Sequence, residues 1–127
     1  MNMNETKPVS IYEMPDGKKM IRVKTLDEDF LLDPKHLDNG RWYKFNEAME
    51  RLKELGLTTF NKKQAYIMAA YYEKIENAIE ILSGDRLDWE WTMSEYNANY
   101  AWCFDYCNGT VGNIKYSMCQ VRPVYAV

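Results

Sequence analysis

Apolar and polar residues alternate on both sides of a Pro-Asp-Gly turn near the start of the chain. Residues 10–14 and 18–24 flank Pro15-Asp16-Gly17, with Met20, Ile21 and Val23 on the returning arm, and this pattern predicts a β-hairpin. Residues 25–33, carrying Phe30, Leu31 and Leu32, add a short strand, and residues 34–43 read as loop with turn chemistry at Asn39-Gly40. The period then changes. Asn46 is placed to cap a helix whose buried stripe is Ala48, Met49, Leu52 and Leu55, with Gly56 ending it. Asn61 and Gln64 have capping-box spacing ahead of Ala65, Ile67, Met68, Ala69 and Tyr72. Ile75, Ala78, Ile79 and Leu82 continue the helical period to Ser83-Gly84, as one long helix or two joined near Tyr72.

Beyond Leu87 the helix signals fade, and Trp, Tyr, Cys and Val point to strands and structured loops. A hairpin, two or three helices and a β-rich final third make an α+β layout. The prediction is one domain over residues 1–127, with residues 1–9 loose.

Within that final third, residues 101–107 read Ala-Trp-Cys-Phe-Asp-Tyr-Cys. On a strand, Trp102, Phe104 and Tyr106 share one face and Cys103, Asp105 and Cys107 the other. The aromatic set is the natural core face, because Asp105 is costly to bury without a partner. On this reading Trp102→Ala destabilises strongly, whereas Cys103→Ser and Asp105→Asn are nearly neutral. Cys103 and Cys107 cannot pair along a regular strand: four residues span roughly 13 Å, and a disulfide needs Cα atoms within about 7 Å. Cys119 could reach either one if their strands are neighbours. A plainer reading makes the cysteines small, half-buried residues covered by another segment.

Composition narrows the function classes. Hydrophobic residues make up 46% of the chain, enough for a core, and 16 basic against 19 acidic residues give a net charge of −3. That balance argues against nucleic acid or an anionic membrane as partner. The start of the chain lacks the apolar middle of a secretory signal, and no run reaches membrane-spanning length. The expectation is a soluble protein made in a cytoplasm, whether of a cell or of a phage-infected cell.

Trp91-Thr92-Met93-Ser94-Glu95-Tyr96, then Ala101-Trp102, Asn108-Gly109 with Val111, and Val121-Arg122-Pro123-Val124 follow one another closely. This succession resembles the C-terminal half of C-type-lectin-fold domains related to formylglycine-generating enzyme. It is most similar to the variable proteins of diversity-generating retroelements in phages and gut bacteria. The resemblance covers residues 42–127 and implies a C-type-lectin-like fold, with the N-terminal hairpin supplying its first strands. It also implies a ligand-binding face whose outward residues are diversified by mutagenesis at template adenines. The implied variable positions are Asn97, Asn99, Tyr100, Cys103, Asp105, Cys107, Thr110, Gly112, Asn113, Ile114, Tyr116, Ser117 and Met118. Cys119 and Gln120 fall where the register after Lys115 is open. Trp91, Trp102, Phe104, Tyr106, Val111, Val121 and Pro123 are the implied scaffold.

The implied function is ligand display to a protein or other macromolecule at a cell or phage surface, with the virion as one destination. No enzymatic activity, cofactor or metal is expected. The chain has no Glu-Pro-Asn or Trp-Asn-Asp run of the calcium-dependent lectins, and its cysteines do not reproduce the oxidase pair. A second class of function is a structural or assembly protein of a phage or mobile element, using the same face between subunits.

Other candidates read as ordinary structure. His36, the only histidine, is expected in a solvated loop among Asp33, Lys35 and Asp38. Asp27, Glu28 and Asp29 read as a solvated turn without the pattern of a calcium loop. Asp85, Asp88 and Glu90 read as a loop before a core tryptophan, and Glu95 as a residue fixing a loop by hydrogen bonding.

Overall fold

The computed structural model describes residues 7–127. Its elements run β1 (Val9–Glu13), β2 (Lys19–Lys24), β3 (Asp29–Leu32), a 3-10 turn (Leu37–Gly40), α1 (Phe45–Leu55), β4 (Thr58–Thr59), α2 (Lys62–Ala70) and α3 (Tyr72–Ser83). They continue with β5 (Trp91–Glu95), β6 (Tyr100–Asp105), β7 (Gly109–Ile114) and β8 (Pro123–Ala126). Five strands form an antiparallel sheet in the order β1-β2-β3-β8-β4, and β5-β6-β7 form a second antiparallel sheet. The fold is mixed α+β.

The predicted hairpin is present. Gly17, at φ +90°, takes the left-handed position its turn requires, and β1 pairs β2 from Val9↔Val23 to Glu13↔Lys19. Val9 therefore belongs to a strand, not to a loose terminus; residues 1–6 lie outside the described residues. The last strand, β8, inserts between β3 and β4, so the two ends of the chain are joined through one sheet.

The helix caps follow local chemistry, with one shift. Asn61 Oδ1 accepts from the Gln64 amide at 2.8 Å, and Gln64 Oε1 accepts from the Asn61 amide at 2.9 Å, starting α2 as predicted. Tyr71 separates α2 from α3, settling the open choice as two helices. α1 begins at Phe45, one residue before the predicted Asn46 cap, because Phe45 is buried edge-on against the Trp91 ring at 5.4 Å. Leu55, expected in the buried stripe, is 42% exposed in the final turn.

Two apolar clusters form the interior. One joins Ile21, Val23, Phe30 and Leu32 of the large sheet to Phe60, Met68, Ile75, Ile79, Val124 and Phe104. The other joins Tyr43, Phe45, Ala48 and Leu52 around α1 to Trp91, Ala101, Cys103, Cys119 and Val121. Strand β6 runs between them, and this corrects the expected inward and outward sets. The alternation along β6 is present, but both of its sides are covered: Ala101 and Cys103 bury in one cluster and Phe104 in the other. Cys103 is fully buried and Cys107 exposed, so neither is the half-buried residue of the plainer reading, whereas Trp102 is only partly buried and Tyr106 is 58% exposed. Thr110, expected outward, is also buried, because it pairs with Phe104 on the side that α2 covers.

Candidate binding face

The second sheet brings most of the expected face to one end. Tyr100 lies opposite Ile114 and Trp102 opposite Gly112, so these four share one side of the β6–β7 ladder. The β5–β6 turn is closed by the Asn97 carboxamide oxygen, which accepts from the amides of Asn99 and Tyr100 at 2.9 Å each. The Lys115 amide donates to the Asn99 carbonyl at 2.9 Å, tying this turn to the end of β7. Tyr96, Asn97, Asn99, Tyr100, Ile114 and Tyr116 are exposed around that junction.

Beneath it the frame is fixed. Lys115 interrupts the exposed run by turning inward: its Nζ donates to Glu95 at 2.6 Å and sits 5.3 Å from the Phe45 ring centre. Glu95 thus has the loop-fixing part expected of it. The Phe45 amide donates to the Lys115 carbonyl, and Trp91 Nε1 donates to the Tyr43 carbonyl at 2.7 Å. On the outer side Tyr96 meets the Trp102 ring edge-on at 5.4 Å, and Lys62 of α2 places its ammonium 3.8 Å from the Trp102 ring centre.

The remaining candidates divide. Asn113, Ser117 and Met118 line a groove of about 430 Å³, together with Val111, Cys119 and Gly112, which has no side chain to close it off. Its walls include Trp42 and Trp89, which no sequence signal singled out; both are more than two-fifths exposed. Asp105 and Cys107 lie at the far end of β6 and its turn, away from Tyr100 and Ile114. Cys103 and Thr110 are inside and drop out of the face. Cys119 is buried beside Cys103, and that neighbouring thiol, with burial, pushes it well above the ordinary thiol range. Asn113 Nδ2 donates to the Cys119 sulfur at 3.7 Å. All three cysteines are free thiols.

The polar cluster that sequence reasoning missed is internal. His36 is buried, not solvated, and its Nε2–H donates to Glu90 at 2.7 Å. Arg122 grips the same carboxylate at 3.0 Å from both Nε and Nη2, and the Asp88 amide adds a further bond at 3.1 Å. Arg122 also donates to the carbonyls of Asp33 and Arg86, and His36 Nδ1 lies 2.9 Å from Asp85. Burial alone would raise the Glu90 carboxyl, but the Arg122 charge and the His36 bond outweigh it and hold it at about 2. With its carboxylate saturated by donors and out of solvent, Glu90 serves as a clamp between segments. The Val-Arg-Pro-Val ending is buried throughout, as scaffold.

Among the described residues no group of His, Cys, Asp or Glu is arranged to hold a metal, and no helix is long and apolar enough to cross a membrane. No family model matches the chain, and no curated protein or solved structure is significantly similar to it.

Proposed function

We propose that this chain is a C-type-lectin-like binding domain. Its second sheet and adjoining turns display a diversifiable set of side chains to a macromolecular partner. The observation that carries the reading is the grouping of Tyr96, Tyr100, Ile114 and Tyr116 in solvent around one junction, over a frame closed by Lys115 and Glu95. Aromatic side chains on a fixed backbone lose little conformational freedom on binding, and they offer large contact areas. The helices between an N-terminal hairpin and a β-rich final third agree with the fold that the resemblance implies. Binding, not catalysis, is the activity that such a face supports.

On this proposal the variable positions are the solvent-accessible part of the expected set. Asn97, Asn99, Tyr100, Asp105, Cys107, Gly112, Asn113, Ile114, Tyr116, Ser117 and Met118 have solvent access, and change there leaves the core intact. Cys103 and Thr110 do not. The test is the DNA around the gene and its close relatives. A reverse transcriptase gene, a near-copy of the gene's end differing at adenines, and substitutions confined to the accessible positions are expected. Relatives that vary equally at Cys103, Ala101 or Trp91 would overturn the proposal.

The same exposed apolar groups also suit a contact between subunits of an assembly, and sedimentation separates the two readings. A display domain stays monomeric as concentration rises. An assembly protein associates, and Ile114→Glu with Tyr116→Glu abolishes that association.

A further inference from the structure

At the end of β6 remote from Tyr100, Tyr72 of α3 stacks on Tyr106, with ring centres 4.9 Å apart and planes 30° from parallel. Trp89 lines the same pocket as the pair. With Leu87, Phe104, Asp88 and Asp105, these residues line a half-open pocket of about 110 Å³. An engineered cavity of about 150 Å³ accommodates benzene, so this one suits a compact head group.

The walls and the charges select the same chemistry. Aromatic rings attract cations through their negative faces. Asp88 and Asp105 add carboxylates, and Arg86, a mostly exposed side chain, lies 3.4 Å from Asp88. Asp105 spends its oxygens on its own turn, accepting from the Cys107 amide and from Asn108 Nδ2, which holds its charge at the pocket rim. Burial, and next the Glu76 carboxylate, raise the Tyr72 phenol above its ordinary value, consistent with surroundings that disfavour added negative charge.

We propose that the pocket formed by Tyr72, Trp89, Tyr106, Asp88 and Asp105 binds a small organic ammonium, of the quaternary or methylated-amine class. The site lies about 17 Å along β6 from Tyr100. It shares Asp105 with the accessible variable positions and Trp89 with the groove, but its test reads ammonium binding and not gene diversification, so either reading can fail without the other.

The test is titration of the whole protein with choline, monitored by the NMR shifts of the Trp89 indole N–H and the Tyr106 amide. 3,3-Dimethylbutan-1-ol, its uncharged isostere, and sodium chloride at matched ionic strength serve as controls. Saturable shifts with choline alone are expected. Tyr106→Ala and Asp105→Asn should each weaken binding by about fivefold, whereas Tyr106→Phe, which keeps the ring face, should retain it. Both substituted side chains reach solvent, and an unchanged amide spectrum away from the pocket confirms folding. Equal response to the alcohol, absence of saturation, or full binding by a folded Tyr106→Ala variant would each overturn the assignment.

Discussion

Glu90 and Arg122 meet as a two-point ion pair: Nε and Nη2 of the guanidinium each lie 3.0 Å from a separate carboxylate oxygen, and both side chains are out of solvent. The pair joins the segment before β5 to the segment before β8. Through His36 and the Asp33 carbonyl it also fixes the loop after β3. Removing the charge of one partner leaves the other buried without compensation. Glu90→Gln and Arg122→Met should each cost about 3–5 kcal/mol in urea unfolding. The double variant Glu90→Leu/Arg122→Met should cost less than the sum of the two, because no orphan charge remains. Strict additivity would mean that the two groups do not act as a pair.

The same contact sets a pH dependence. Glu90 titrates near 2 in the folded chain, down from an ordinary 4.5. A depressed carboxyl stabilises the folded state above its unfolded value and loses that contribution as pH falls through the folded one. Stability attributable to Glu90 should therefore be complete above pH 4.5 and decline between 4.5 and 2, by about 3 kcal/mol in all. Urea midpoints measured across that range should fall steeply for the native chain and less steeply for Glu90→Gln. Parallel profiles would remove Glu90 as the cause.

Strand β6 makes the clearest contrast with a one-sided strand. Phe104→Ala should cost about 3–5 kcal/mol, since that ring is buried and packs edge-on to Phe60 at 6.2 Å. Trp102→Ala should cost less, about 1–2 kcal/mol, because the ring is partly in solvent and rests on Lys62 and Tyr96. Cys103→Ser should cost about 1–3 kcal/mol by placing a hydroxyl in an apolar cluster, whereas Cys107→Ser should stay within about half a kcal/mol. Chemical denaturation of the four variants checks the order. Trp102→Ala as the costliest would restore the inward tryptophan.

Why these residues misled and others did not is a matter of range. The Asn61–Gln64 box, the Pro-Asp-Gly turn and the left-handed Gly56 and Gly84 are set by neighbours a few positions away, and all were legible. The period of β6 was legible too. Which side of it met a core was not, because Ala101 and Cys103 join a cluster with α1 residues while Phe104 joins the other with α2 residues. His36 reaches Glu90 across 54 positions and Arg122 reaches it across 32, so no local pattern marks the clamp. The binding face was partly legible for the same reason. Tyr100, Ile114 and Tyr116 were expected from the resemblance, although alternation alone puts Tyr100 on the Trp102 side, whereas Trp42, Trp89 and Tyr72 reach their sites only through tertiary packing.

Gly109 shows how tightly α2 holds the turn end of this sheet. Its φ of +85° is left-handed, and a Cβ there would fall 2.1 Å from Cδ1 of the Tyr66 ring. Gly84 has a similar φ, +73°, with nothing within 4 Å. Gly84→Ala should therefore cost only the backbone term, about 1–2 kcal/mol. Gly109→Ala should cost more, because the Tyr66 ring must also leave its place over the turn. Adding Tyr66→Ala to Gly109→Ala should recover the steric part and leave the backbone part, a coupling that a double-mutant cycle measures directly. Equal costs at the two glycines, or no coupling to Tyr66, would show that the ring does not clamp β7 against α2. The rigidity ascribed to the display face would then have to come from Lys115 and Glu95 alone.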